Sequence, residues 1–161
     1  MLLVHDANLL IDLKEGDLLR PLFDGPWQVV TPNALFHREL AAQHPELPDM
    51  GLQLLDVSGE WVLRSVQWAE TSRQTSAMDR LCLALALQEE CPIVTGDARL
   101  KKAARGEGCE VFGTIWVVEQ LTGYGLIPVT SAFGAYDAME AAGSRLPFSD
   151  ARKRLRAIQK A

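Results

Sequence analysis

Two aspartates directly follow apolar runs, and their type and position are the first features of this sequence that suggest chemistry. Asp6 follows "LLVH", and Asp97 lies in "IVTGDARL", just after a later run. A carboxylate at the end of a buried strand loses water, so it is rarely placed there without a partner or a metal ion. If the two strands are neighbours in one sheet, Asp6 and Asp97 face each other across a crevice.

The order of apolar runs and helical segments predicts the sheet that would position these aspartates. Short β-branched or apolar runs predict five buried strands, at residues 2–5, 27–31, 61–66, 92–95 and 110–113. Segments with helical spacing follow the first four runs, at residues 7–19, 32–43, 76–90 and 97–108. Since parallel strands need crossover connections, this alternation predicts a parallel α/β sheet with helices on both faces. Ligands bind such sheets beyond the carboxyl ends of the strands, where the strand order reverses.

Local signals predict where some of these helices begin and end. Thr31 followed by Pro32 is typical of an N-cap with proline at the first helical position, and Gly106 or Gly108 can close the helix before "CEVFG". Ser76 and Asp79 have the spacing of a capping box, in which an acidic residue supports the first helical turn.

Composition predicts one ordinary domain without an overall attraction for nucleic acid. The chain has 161 residues, 48% of them hydrophobic, and 16 Lys and Arg against 21 Asp and Glu give a net charge of -5. An RNA or DNA substrate would therefore need local basic patches or bound cations. Cys82, Cys91 and Cys109 are odd in number and widely spaced, which favours free thiols. No secretion signal or membrane-spanning run is apparent, so cytoplasmic residence is expected.

Two further carboxylates complete a pattern, namely Glu39 in "ALFHREL" and Asp79 in "SAMDRLCLALAL". Together with Asp6 and Asp97 they resemble the PIN-domain family of metal-dependent nucleases. The family pattern is an Asp ending the first strand, a Glu in the helix after the second, an Asp opening the helix before the fourth, and an Asp in a T-x-D turn. The four carboxylates match this pattern in order and approximate spacing.

The resemblance extends over essentially the whole chain. Asn8 and Thr95 match frequent polar neighbours of the carboxylates. The segments "LKEGDLLRPLFDGPWQVVTPNALFHREL" and "CEVFGTIWVVEQLTGYGLIP" are similar to a prokaryotic PIN-like subfamily with an extra C-terminal segment. The resemblance implies a three-layer α/β/α fold with a central parallel sheet of about five strands. It also implies a single domain, with a nuclease core over about residues 1–125 and a C-terminal helical extension over about 126–161.

The resemblance implies a metal-dependent activity for these carboxylates. Asp6, Glu39, Asp79 and Asp97 would be the catalytic residues and would bind one or two Mg²⁺ or Mn²⁺ ions, which are hard cations that prefer oxygen ligands. The implied activity is hydrolysis of RNA by metal-activated water, leaving 5'-phosphate and 3'-hydroxyl ends. The implied biological role is the toxin of a toxin-antitoxin pair, with a small antitoxin-like protein as partner, no membrane partner, and a homodimer as one allowed assembly.

The basic residues that follow Asp97 are candidates for holding RNA phosphates near the metal. They are Arg99, Lys101, Lys102 and Arg105. A solvated helix face is an equally good interpretation of these residues. The cationic tail "SDARKRLRAIQK" could dock on an acidic partner, although a solvated terminal helix is the simpler alternative.

A purely structural role is the alternative for several of these residues, and the chain as a whole has alternative functions. Asp79 and Asp97 could only cap helices, Glu39 could be solvated, and His5 and His37 are expected to be structural, because the carboxylate chemistry needs no histidine. A PIN-like binding or regulatory protein with little turnover is the main rival. A nucleotide-binding domain is disfavoured because "HDANLL" lacks phosphate-cradling glycines, and a phosphoaspartate phosphatase because no Asp stands two residues after Asp6.

Overall fold

The computed structural model describes residues 1–161. Its five parallel strands form a single sheet. The spatial order is β3-β2-β1-β4-β5, so β1 lies at the centre with β2 on one side and β4 on the other. The predicted parallel α/β architecture is confirmed. The strands are β1 (Leu2–His5), β2 (Gln28–Pro32), β3 (Gln53–Leu55), β4 (Ile93–Val94) and β5 (Val111–Phe112).

Helices cover the sheet and make up most of the chain. In chain order they are α1 (Ala7–Glu15), α2 (Leu19–Asp24), α3 (Asn33–Leu35), a π-helical turn (Phe36–Leu40), α4 (Leu47–Met50), α5 (Gly59–Thr71), α6 (Ala77–Gln88), α7 (Ala98–Gly106), α8 (Thr114–Gly123), α9 (Val129–Ala141) and α10 (Phe148–Lys160). Helix α6 packs against β1, β2 and β4 and pairs with α5, whereas α1 packs with α2, α8 and α9. The result is a three-layer α/β/α fold.

The third strand was wrongly predicted, because residues 61–66 belong to helix α5. The β-branched and aromatic residues there favour a strand, but the buried side chains follow a helical period: Ser65 and Trp68 are buried, whereas Val62, Leu63 and Val66 are exposed. The third strand is instead the short edge segment Gln53–Leu55, which pairs with β2. Its three residues carry too little alternation to reveal a strand.

Two predicted helix boundaries have different outcomes. Thr31 and Pro32 are the last residues of β2 rather than a helix start, and the Thr31 hydroxyl donates to the His5 carbonyl at 3.0 Å. This bond ties β2 to the end of β1. Helix α7 ends at Gly106, and Gly108 follows at φ 77, a left-handed conformation that suits glycine at a helix end.

The C-terminal helices share the main hydrophobic core. One cluster of 40 buried residues extends from Leu3 to Leu155, so α9 and α10 pack on the same core as the sheet. The cationic tail is partly neutralised within the chain, since Arg152 pairs with Asp137 and Glu140. No helix has the length and apolar character needed to cross a membrane.

We expect Leu155→Ala to lower the free energy of unfolding by about 2–5 kcal/mol, because it leaves a cavity in the core beneath α10. Leu155 has no exposed surface, whereas Ile158 on the same helix is 38% exposed. The control variant Ile158→Ala should therefore cost less than about 1 kcal/mol. Urea unfolding of both variants measures the difference, and equal small losses would mean that α10 does not belong to the core.

Candidate functional site

Asp6 lies at the junction of β1 and α1, where it caps the helix and contacts the neighbouring strand. One carboxylate oxygen accepts a hydrogen bond from the Leu9 backbone N–H at 2.8 Å, and the other accepts from the Thr95 hydroxyl. The Asp6 backbone N–H donates to the Val94 carbonyl at 3.3 Å. The side chain is almost fully buried, at 4% exposure. A buried carboxylate is tolerated there because both oxygens have donors.

Thr95 and Asp97 occupy the end of β4, beside the end of β1. The chain continues from β1 to β2 on one side and reaches β4 on the other, so this is the point where the strand order reverses. Thr95 is fully buried, and its hydroxyl oxygen also accepts from the Asp97 backbone N–H at 3.1 Å. Asp97 caps α7, with its Oδ1 accepting from Arg99 and Leu100 N–H groups at 2.8 and 3.0 Å. The first and fourth strands are neighbours, which was the condition for Asp6 and Asp97 to lie at the same edge of the sheet.

Asp79 lies in the first turn of α6 and closes a capping box with Ser76. The Asp79 N–H donates to Ser76 Oγ at 3.1 Å, and Asp79 Oδ2 accepts from the Ser76 N–H at 3.1 Å. The predicted capping box is confirmed. This role leaves Asp79 partly exposed at the helix start, where a carboxylate can also face a cation.

Glu39 lies on the π-helical turn, a feature that sequence reasoning did not predict. The turn is closed by the Ala41 N–H donating to the Phe36 carbonyl at 2.8 Å. Phe36 and Leu40 are buried, while Glu39 between them is exposed. Single π turns inside helices are rare and often occur at functional sites, because the extra residue re-aims the side chains around it.

Charge repulsion links the four carboxylates to one another. Burial, the largest cause, raises the pKa of Asp6 to about 6, and the negative charges of Asp79 and Asp97 add to the increase. The pKa of Glu39 is raised by burial and then by the charge of Asp79, against an opposing effect of Arg38. Asp79 therefore connects Glu39 electrostatically to Asp6 and Asp97.

Cys82 lies behind this cluster and was not recognised as a neighbour from the sequence. It is fully buried, one turn after Asp79 on the same helix. Burial raises the pKa of its thiol well above the ordinary value, and the charges of Asp6, Asp79 and Glu39 contribute. The i, i+3 spacing from Asp79 was the signal available in the sequence. All three cysteines are free, as predicted.

The donor set suits a hard divalent cation, although the side chains do not form a closed coordination shell. Carboxylate oxygens are the ligands that Mg²⁺ and Mn²⁺ prefer, and a cation would relieve the repulsion that raises the pKa values of Asp6 and Glu39. No three His, Cys, Asp or Glu groups lie close enough together to hold an ion as positioned. Asp6, Glu39, Asp79 and Asp97 therefore have the chemistry that a divalent cation prefers, but as positioned they do not form a site that could hold one.

The supporting polar residues and the histidines have distinct positions. Asn8 is exposed in the first turn of α1, whereas the Thr95 hydroxyl contacts the Asp6 carboxylate directly. His5 is buried, and desolvation lowers its pKa to about 4, so it is neutral at pH 7. Its Nδ1 lies 3.3 Å from the Leu3 carbonyl oxygen, while its Nε2 has no partner. His37 is exposed and packs edge-on against Phe36.

The four basic candidates do not form one patch, because α7 turns them to two different faces. Arg99 and Lys102 line a recess on one side of the helix, whereas Lys101 and Arg105 do not. Lys101 is half-buried, and its Nζ lies beside Gly113.

Asp6→Asn should raise the free energy of unfolding at pH 7.5 and lose this advantage in acid. Burial raises the pKa of Asp6 in the folded state to about 6, from an ordinary value of 3.8. Ionisation of Asp6 therefore lowers the free energy of unfolding of the parent chain. This loss is fully present above pH 6 and absent below about pH 4, and the difference between the two pKa values corresponds to about 3 kcal/mol. Asparagine keeps the helix cap, since it is also a good N-cap residue.

Urea unfolding between pH 4 and pH 8 measures this effect, with Asp24→Asn as the matched control. Asp24 is exposed at the end of α2, so its replacement should produce no comparable pH-dependent gain. An Asp6→Asn variant that is less stable than the parent at pH 7.5 would contradict the expectation that burying the charge of Asp6, beside other negative charges, destabilises the fold.

Comparison with known protein families identifies the family of the chain. A family model described as a PIN domain matches residues 2–160, which includes β1, all four carboxylates and the C-terminal helices. Among curated proteins, none matches the chain. The family match covers nearly the whole sequence, and the parallel five-stranded sheet has the expected three-layer arrangement. The chain therefore belongs to the PIN-domain family.

Proposed function

We propose that this chain is a ribonuclease that depends on Mg²⁺ or Mn²⁺. The single observation that supports this proposal best is the electrostatic coupling of acidic side chains from four separate segments near the carboxyl edge of the sheet. They influence one another electrostatically, in a chain whose family has a nuclease-type fold. Asp6, Glu39, Asp79 and Asp97 are the proposed metal-binding and catalytic residues.

The roles proposed for the residues follow from their contacts. A bound divalent cation would neutralise phosphate charge and activate water for attack on the phosphodiester. Asp6 has a pKa of about 6, so it is mostly ionised at pH 7.5 and able to act as a ligand. Thr95 holds the Asp6 carboxylate in place by its hydroxyl hydrogen bond. Glu39 is the most exposed of the four, which favours it as the ligand nearest the entering substrate.

Asp6→Asn and Asp97→Asn should each reduce Mn²⁺-dependent cleavage of total RNA by more than about 100-fold, since losing a ligand costs at least as much as losing an outer-shell partner. Both substitutions preserve a helix cap, so the fold should remain intact. Asp24→Asn is the control and should retain parental activity. Gel analysis of purified proteins with Mn²⁺ or chelator provides the measurement, and full activity in either site variant would contradict the assignment.

The chemical route can be tested with a modified substrate. Attack by water leaves 5'-phosphate and 3'-hydroxyl ends and does not need the ribose 2'-hydroxyl of the substrate. An oligonucleotide with one deoxyribose at the cleavage position should therefore still be cut. Loss of cleavage at that position alone would indicate a metal-free route through the 2'-hydroxyl.

A second candidate is a PIN-like RNA-binding or regulatory protein with little turnover. The observation that favours it is the hydrogen bonding of both Asp6 oxygens, together with the absence of three groups close enough to hold an ion as positioned. Saturable metal binding without metal-dependent cleavage of any RNA pool would select this candidate over the nuclease.

The proposal extends to a cytoplasmic toxin that is inhibited by a small antitoxin-like partner. The family resemblance motivates this step, while the cationic tail adds less than its sequence suggested, because Arg152 and Arg154 pair with carboxylates of α9 and α8. Lys153, Arg156 and Lys160 remain exposed on α10.

We expect affinity capture of the chain from its native host to recover a small stoichiometric companion, because the proposed partner must bind tightly enough to suppress cleavage. The companion should reduce RNA cleavage when added back to the purified chain. Recovery of free chain alone, as a monomer or as a homodimer, would contradict the proposed pairing.

A further inference from the structure

We propose that a recess beside the carboxylates binds the sugar-phosphate backbone of single-stranded RNA. The recess lies between α7 and the segment that leaves α5, and it has a volume of about 650 Å³. Ala103 is the one hydrophobic residue among the eleven that line it, so the recess suits a polar, hydrated ligand. This inference rests on the proposed ribonuclease function, since it names how the substrate of that site is held.

Both walls of the recess lead to a candidate metal ligand. On one side, residues 71–75 run directly into Ser76, the first residue of the capping box that contains Asp79. On the other side, α7 is capped by Asp97, two residues before Arg99. A strand lying in the recess would therefore continue towards the carboxylate cluster.

The charge of the recess differs from that of the whole chain. Arg73, Arg99 and Lys102 line it, against Glu70 and Glu107. Glu107 is already paired, with Arg64 Nη2 at 3.6 Å. The chain carries a net charge of -5, so this local excess of cations is the feature of the surface near the carboxylates that attracts phosphate.

Arg73 is a new member of the basic set, and its side chain is oriented by the backbone. Its Nε donates to the Glu70 carbonyl at 3.3 Å, which leaves the two terminal nitrogens of the guanidinium free for a ligand. Arginine can contact a phosphate with two donors or stack on an unpaired base. Stacking on a base is the contact that would favour nucleic acid over a simple anion.

The concave shape favours a single strand over a duplex. A flexible strand can enter a recess and place its phosphates against Arg73, Arg99 and Lys102, whereas a rigid duplex touches mainly the rim. Recognition of unpaired RNA also exposes base faces to arginine side chains. Duplex RNA is therefore the comparison that tests this part of the inference.

The two faces of α7 provide a matched pair of variants. The double variant Arg99→Ala/Lys102→Ala removes two charges from the recess, and Lys101→Ala/Arg105→Ala removes two charges from the other face of the same helix. Binding of a fluorescently labelled oligouridylate is measured by anisotropy in chelator, so that no cleavage occurs. Thermal melts establish that both variants are folded.

We expect the recess variant to bind about tenfold more weakly, with a log–log salt slope smaller by about 1.4, because about 0.7 is lost per phosphate contact on a single strand. The control variant should change affinity by less than about twofold. Duplex RNA should bind more weakly than the single strand and should respond alike to both variants. No binding by the parent, equal losses in both variants, or tighter binding of duplex would overturn the inference.

Cleavage assays separate this inference from the proposed function. If the recess variant selectively loses RNA binding but the parent does not cleave RNA, the RNA-binding recess is supported and the ribonuclease function is refuted. If the parent cleaves RNA and the recess variant has an unchanged KM, the ribonuclease function is supported and RNA binding in the recess is refuted.

Discussion

The hydrogen bond from Thr95 to Asp6 joins two neighbouring strands at the point where the sheet reverses its strand order. The carboxylate is buried there, so it needs donors on both oxygens, and Thr95 and the Leu9 N–H provide them. The same Thr95 oxygen accepts from the Asp97 N–H. One buried hydroxyl therefore fixes the relative positions of the two loops that carry the central aspartates.

Helix starts explain how the fold tolerates a concentration of negative charge at one edge of the sheet. Asp6 and Asp97 cap α1 and α7, and Asp79 closes the capping box of α6. Backbone N–H groups at a helix N-terminus carry partial positive charge, which stabilises each carboxylate. Burial, and to a smaller extent the remaining repulsion, still raises the pKa values of Asp6 and Glu39. Capping and ligand roles are therefore compatible in one residue, and a cation would remove the repulsion that capping leaves.

Much of this arrangement could be predicted from the sequence, because it depends on local signals. The strand–helix alternation predicted the parallel sheet, and Asp6 and Asp97 follow strands that proved to be neighbours in it. Ser76 and Asp79 predicted the capping box. The family resemblance inferred from the four carboxylates is also confirmed.

Other features depend on tertiary packing, which local pattern does not encode. The strand-like segment at residues 61–66 forms part of helix α5, which packs against α6. The π-helical turn at Glu39 leaves no compositional trace. Arg73 joins the recess only because the end of α5 lies beside α7. By contrast, the division of the basic residues of α7 could have been predicted from helical spacing.

The central claim is that Asp6 belongs to a carboxylate cluster that binds a divalent cation. Calorimetric titration of the purified chain with Mn²⁺, at pH 7.5 and at pH 5, tests it most directly. Because the pKa of Asp6 is about 6, we expect saturable Mn²⁺ binding at pH 7.5 and weaker binding, with proton release, at pH 5. We also expect a marked loss of Mn²⁺ affinity in the Asp6→Asn variant. Binding that is absent at pH 7.5, or unchanged by Asp6→Asn, would contradict it.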